Sequence, residues 1–137
     1  MVERVTVPFT LERYGEGYRS QIVTHGVLRL EADALVIEFR ETTTSLTTLA
    51  EDPGAVRELR IPLDDVEAVE AERRWWSGRL RIRTRTLAVM QDIPGATGNE
   101  CVLRVRRRDR SMAREFAVAT SLMLSGLELR RLEDGAT

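Results

Sequence analysis

Side chains that could carry catalysis or hold a metal are scarce in this sequence of 137 residues. Cys101 is the only cysteine and His25 the only histidine, which excludes an internal disulfide, a multi-cysteine metal site and an HExxH motif. Lysine is absent, so Schiff-base chemistry and a phosphate-binding P-loop are excluded as well. Asp64 and Asp65 are adjacent and suit a turn, because adjacent strand residues point to opposite faces. We therefore expect no catalytic residues, no cofactor and no metal, and a protein that is not an enzyme.

The most unusual pattern is a set of arginines at every second position. They are expected on the outer faces of two strands: Arg79, Arg81, Arg83, Arg85, Arg104 and Arg106. Such a surface could bind nucleic acid or anionic lipid, since guanidinium groups bind phosphate bidentately. Alternatively, the arginines pair across strands with Glu67, Glu70 and Glu72. The second interpretation is favoured, because no aromatic side chain is interleaved for base stacking.

Two further features could be sites or structural residues. His25 has no nucleophile or second metal ligand in its segment and is interpreted as structural, and Cys101 alternates with Leu103 on the inward face of a strand. Trp75 and Trp76 end a strand, so one indole is expected in the core and the other at the surface. The surface indole could anchor a partner or stack on arginine stems.

Charge and hydropathy indicate a soluble globular chain. Hydrophobic residues make up 42%, charged residues 31%, and the net charge is -1. We find neither a signal-peptide pattern nor an apolar run near the roughly 20 residues of a membrane span, so a cytoplasmic protein without a transmembrane segment is expected.

The elements that position these residues are short alternating segments followed by one helix. Alternation predicts strands at 21–30, 35–40, 59–63, 66–74, 79–85, 87–93 and 101–106, with Val5–Phe9 as a possible edge strand and 41–55 as the longest loop. From Asp109 the period becomes 3.6, and Gly126 is a plausible helix end. We expect a mainly β domain at 21–129, an N-terminal extension or edge strand at 1–20 and a tail at 130–137.

The helix carries two apolar faces. Phe116, Met123 and Leu127 lie on one side and are expected to fill the core. Val118, Leu122 and Leu129 lie on the opposite side, where they are either isolated surface aliphatics or a contact for a second chain.

Several segments resemble bacterial pleckstrin-homology-like and GRAM-like domains. The resemblance rests on the hairpin 26–40, on Ile61-Pro62-Leu63-Asp64-Asp65-Val66, and on 76–82, and it covers about Gln21 to Leu127. It implies a seven-stranded orthogonal sandwich or barrel capped by a C-terminal helix.

In eukaryotic members, phosphoinositides bind basic residues around the first hairpin. Here the corresponding turn, Glu31-Ala32-Asp33, is acidic, so phosphoinositide is not expected as a ligand. We expect a non-catalytic module for protein–protein contact or self-association, in which Val118, Leu122 and Leu129 form the contact surface and Trp75 or Trp76 is secondary. The alternative is a peripheral anionic-lipid or nucleic-acid binder that uses the arginines.

Overall fold

The fold is a mainly β domain closed by a long C-terminal helix. A computed structural model describes residues 5–72 and 78–135. Its strands are β1 (Val5–Tyr14), β2 (Ser20–Leu30), β3 (Ala34–Ser45), β4 (Glu51–Pro53), β5 (Arg57–Pro62), β6 (Val66–Ala71), β7 (Arg79–Thr84), β8 (Ala96–Thr97) and β9 (Glu100–Arg104). Its α-helices are α1 (Leu87–Met90) and α2 (Arg110–Gly135). The predicted fold class, mainly β with one C-terminal helix, is confirmed.

The strands form one open antiparallel sheet. Their order is β4-β3-β2-β1-β9-β7-β6, while β5 pairs with β3 and β8 pairs with β9. Because β2 and β3 pair over their full lengths, they make a long hairpin that β1 extends on one side and β5 on the other. At the far side of the sheet, β6 pairs with β7 and has no second strand neighbour among the described residues.

Strand β1 joins the two parts of the sheet. It pairs with β2 from Val5 to Tyr14 but with β9 only at Thr10, opposite Arg104. The N-terminal segment is therefore longer than the edge strand expected at Val5–Phe9, and it lies within the sheet. Pro8 is compatible with this position because β9 does not reach it, so the missing N–H group leaves no pairing unmade on that side.

Helix α2 covers the core between β1 and β6. It packs against both strands, and it buries Ala113, Phe116, Ala117 and Thr120. The Phe116 side chain is fully buried, and Met123 and Leu127 are partly buried against the same core cluster. The predicted core face of the helix is confirmed.

Three predicted boundaries were wrong. The segment 41–55 is not one long loop, because β3 continues to Ser45 and pairs with β4. The segment 87–93 is not a strand, because Leu87–Met90 forms a helical turn that buries Met90. The helix does not end at Gly126. It continues to Gly135, and Arg131 of its last turns binds Asp64 with 2.6 Å between Nη2 and Oδ1.

Candidate functional site

The exposed side of α2 carries an apolar stripe, which we call the outer helix surface. Its members are Val118, Leu122, Leu129 and Leu132, whose side chains are 59%, 69%, 61% and 66% exposed. With the small Ser125 between them, these positions follow one another at intervals of four, three, four and three residues, which is the spacing of a coiled-coil seam. The sequence prediction included the first three residues and omitted Leu132, because it ended the domain at residue 129.

The outer helix surface borders an open groove between α2 and β6. The groove has a volume of about 900 Å³, and Val118 and Leu122 line it together with Val69, Ala71 and Ala117. Glu70 and Arg114 are the charged residues along it. The exposed helix face therefore continues into a groove that reaches β6 and is lined by both apolar and polar residues.

Trp75 and Trp76, the second predicted contact, lie outside the described residues, which resume at Gly78 after position 72.

Each arginine on β7 has a carboxylate neighbour. On β7, Arg81 binds Glu100 at 2.6 Å, Arg83 approaches Glu70 at 3.5 Å, and Arg79 approaches Glu72 at 3.9 Å. These ion pairs connect neighbouring strands, as the favoured interpretation expected for Glu70 and Glu72. Much of the positive charge on β7 is therefore offset locally.

Two members of the arginine set do not fit the predicted row. Arg85 follows the end of β7, and it lines a separate groove beside Leu127 and Arg131 of the helix. Arg106 follows the end of β9 and precedes a 3-10 turn at Arg107–Asp109. Among the described residues, no ion pair joins Glu67, a predicted partner, to an arginine of this set. The register shifts between Val66 and Ala68, so Glu67 has no partner in the strand pairing.

A cleft of about 650 Å³ lies over the junction of β1, β2, β7 and β9, and we call it the cross-strand cleft. Its basic or potentially basic lining residues are His25, Arg79, Arg104, Arg106 and Arg107. Glu12 and Glu72 are the acidic ones. The cleft therefore has an excess of positive charge within a protein whose net charge is -1.

Strand register explains why these residues meet. His25 lies opposite Thr10, Thr10 opposite Arg104, and Arg104 opposite Arg79. Residues that are directly opposite in antiparallel strands project from the same face, so the four side chains form one row across four strands. The Thr10 hydroxyl lies 3.5 Å from Nδ1 of the His25 ring.

Sequence reasoning missed this row. His25 was interpreted as structural, but its side chain is exposed in the cleft. Only the length and register of β1 bring it near Arg104, and the sequence pattern indicated neither. Alternation at 101–106 did place Arg104 on an outward face.

The single thiol belongs to the core. Cys101 is fully buried, and its Sγ donates a hydrogen bond to the Pro94 carbonyl at 3.3 Å. Burial raises the pKa of this thiol to about 12. Among the described residues, no group of three or more His, Cys, Asp or Glu side chains is arranged to hold a metal ion. None of the described helices is long and apolar enough to span a membrane.

Comparison with known proteins gives no relative: no family model, no curated protein and no solved structure matches this chain.

Proposed function

We propose that this protein is a non-catalytic assembly module with a pleckstrin-homology-like fold, and that it self-associates through the outer helix surface. The fold assignment is supported by the order of the elements. If the short strands β4 and β8 are set aside, seven strands precede the C-terminal helix, and the helix covers the core between β1 and β6. The turn after β2 is acidic, and Glu31 and Glu38 both approach Arg29 beside it. These carboxylates would compete with the phosphates of a phosphoinositide, so this turn does not favour that ligand.

The main support for self-association is the stripe of four exposed aliphatic side chains, which have the spacing of a coiled-coil seam. Burying them against an identical stripe would remove apolar surface from water at roughly 25 cal/mol per Å². A single exposed leucine is ordinary on a soluble protein, but four on one helix face make a continuous patch.

The stripe is close to self-complementary. Val118 and Leu132 are each seven positions from Ser125, while Leu122 and Leu129 are three and four positions from it. Two copies of α2 packed antiparallel about a two-fold axis at Ser125 would therefore place Val118 against Leu132 and Leu122 against Leu129 of the other copy.

A small residue at the centre of the stripe is compatible with the same arrangement. Ser125 lies at the proposed axis and would let two helix backbones approach closely.

Light scattering of the purified protein over a range of concentrations tests self-association. We expect a dimer that Leu122→Glu converts to monomer, because the substitution places two carboxylates in the seam. Leu87→Glu is the matched control, since Leu87 is 61% exposed but lies on α1. A monomer at all concentrations, or equal effects of the two variants, would contradict the proposal.

A disulfide test addresses the orientation. Ser125→Cys should form a covalent dimer under mild oxidation, because the axis brings the two copies of residue 125 together, whereas Ser111→Cys should not. The natural Cys101 is buried and should contribute no background. Crosslinking at Ser111 instead of Ser125 would indicate a different interface.

The alternative function is binding of anionic lipid or nucleic acid by the arginine face. Arg104 and Arg106 favour it, since among the described residues no carboxylate pairs with either. The ion pairs of Arg81 and Arg83 weigh against it. It predicts binding to anionic vesicles or oligonucleotides that weakens steeply with salt, and no binding at low salt would exclude it.

A further inference from the structure

We propose that the cross-strand cleft binds a compact phosphate-bearing anion between Arg104, Arg79 and His25. The cleft lies on the sheet at β1, β2, β7 and β9, whereas the outer helix surface lies on α2, so this site is independent of the proposed self-association.

The first argument is the position of two like charges. Arg79 and Arg104 are directly opposite each other on β7 and β9. Like charges at directly opposite positions destabilise a sheet, and their Cβ atoms are typically only about 5 Å apart. The fold holds this pair although Arg104 has no carboxylate partner among the described residues. An anion bound between the two guanidinium groups would remove the repulsion.

The second argument is the contrast with neighbouring arginines. Arg81 and Arg83 lie on the same strand and face as Arg79, and a carboxylate pairs with each of them. At the cleft, Arg79 has only the long 3.9 Å approach to Glu72, and Arg106 has no carboxylate partner within the described residues. Arginine charge in the cleft is therefore available to a ligand, whereas carboxylates offset the charges of Arg81 and Arg83 beside it.

The third argument is the chemistry of the donors. Guanidinium groups bind phosphate bidentately, and the Thr10 hydroxyl and the His25 ring add neutral or cationic donors in the same row. His25 contacts Thr10 through Nδ1, which leaves Nε2 as the second ring nitrogen available to a ligand.

Size and charge limit the ligand to a compact anion. The cleft has a volume of about 650 Å³, enough for a small phosphorylated molecule. Glu12 and Glu72 line it as well, and these carboxylates would repel an extended polyanion that crosses the cleft. A nucleic acid would also need the neighbouring arginines, two of which are paired.

Proton NMR of the histidine ring tests the proposal directly. Because the chain has one histidine, the ring signal is unambiguous. We titrate the full-length protein with inorganic phosphate and with pyrophosphate at constant pH and ionic strength, using sodium chloride as the reference. We expect a saturable shift of the His25 signal, and a shift that does not saturate or that chloride reproduces would overturn the proposal.

Two charge-matched variants distinguish a site from a general effect of charge. Arg104→Gln should weaken binding roughly ten- to hundredfold, since it removes a charge-assisted donor. Arg81→Gln removes the same charge outside the cleft and should leave the affinity unchanged. Equal losses in both variants would overturn the assignment of the site.

Thermal unfolding shows whether weaker binding by Arg104→Gln results from a loss of stability. Arg104→Gln relieves the repulsion with Arg79, so we expect its melting temperature without ligand to equal or exceed that of the natural protein. A weaker anion binder that is no less stable would support a binding role. A large drop in melting temperature would show that Arg104 is structural and would overturn the proposal.

Vesicle sedimentation distinguishes a lipid headgroup from a free phosphorylated molecule as the ligand of the cleft. We compare sedimentation with phosphatidylcholine vesicles with and without phosphatidic acid. Sedimentation that pyrophosphate reverses at fixed ionic strength would support a lipid headgroup in the cleft, and anion binding without sedimentation would support a free phosphorylated molecule. Oligonucleotide binding that Arg81→Gln and Arg104→Gln weaken equally would contradict a compact site.

Discussion

At the scale of single residues, Cys101 shows how burial controls ionisation. Burial raises its thiol pKa from 9.0 to about 12. The unfolded chain would lose the thiol proton near the ordinary value, so above pH 9 the folded state keeps a proton that the unfolded state has lost. Stability due to the neutral thiol is complete below pH 9 and is lost as the pH rises toward 12.

We predict that the urea midpoint falls between pH 7.5 and pH 10.5, and that it falls less in Cys101→Ala. The comparison is clean because lysine is absent and the side chains of Tyr14 and Tyr18 are exposed. Denaturation curves of both proteins at the two pH values provide the measurement. Parallel shifts in the two proteins would show that another group is responsible.

The burial of single residues was partly predictable from the sequence. Alternation correctly placed Cys101 inward, and helical spacing did the same for Phe116. Gly26 could not be anticipated, because its importance comes from another strand. A Cβ atom there would lie 2.5 Å from the Phe9 ring and 2.6 Å from the Glu38 carbonyl, so the site admits only glycine without a shift of β1 or β3.

At the scale of elements, the C-terminal end of helix α2 differs from the sequence prediction. Glycine at 126 suggested a helix end, since glycine favours the left-handed conformation that terminates helices. The helix instead continues for nine residues, and Gly126 is not among the residues with positive φ. The ion pair between Arg131 and Asp64 connects this extension to the turn before β6. That contact could not be predicted from the local pattern.

Gly126→Ala should stabilise the protein by about 0.5–1 kcal/mol, because alanine loses less backbone entropy within a helix. Nothing lies within 4 Å of a Cβ atom at this position, so no clash offsets the gain. Chemical denaturation of the natural protein and the variant measures the difference. Gly98→Ala is the control, since its φ of 63° should make the substitution unfavourable. Destabilisation by Gly126→Ala would indicate that the helix ends there.

Strand prediction succeeded where alternation was regular and failed where a tertiary contact overrides it. The segment 79–84 alternates strictly and forms β7. Leu87–Met90 is entirely apolar, without alternation, and forms a helical turn that buries Met90. Short apolar runs have no distinctive period, so their conformation depends on the space that the rest of the fold provides.

At the scale of the whole molecule, one core connects both parts of the sheet. The buried cluster contains Val7 and Phe9 of β1, Leu80 of β7, Leu103 of β9 and Phe116 of α2. Because these residues contact a common interior, the parts are not expected to unfold separately.

We therefore predict a single cooperative unfolding transition. Circular dichroism at 222 nm follows the helix, and the reaction of Cys101 with a thiol reagent follows the opening of the core between β7 and β9. The two signals should change over the same range of urea concentrations. Loss of the helical signal before the thiol becomes reactive would show that α2 melts independently.

More of the architecture than of the candidate binding surfaces could be predicted from the sequence. Regular alternation and the change to a 3.6 period indicate a β domain with a terminal helix, and the same helical spacing indicates an exposed apolar stripe. The cross-strand cleft depends on the registers of β1 with β2 and β9, and those registers are set by long-range packing. Glu100 pairs with Arg81 for the same reason, although only Glu67, Glu70 and Glu72 were expected as partners.

The single pairing between Thr10 and Arg104 has a consequence for synthesis on the ribosome. Strands β1 to β3 emerge early and can form their hairpins, but β9 and α2, which share the core cluster with Val7 and Phe9, are translated after all the other strands. Until β9 and α2 leave the exit tunnel, the nascent chain presents these apolar side chains to solvent or to a chaperone. Completion of this core therefore waits until α2 has left the tunnel.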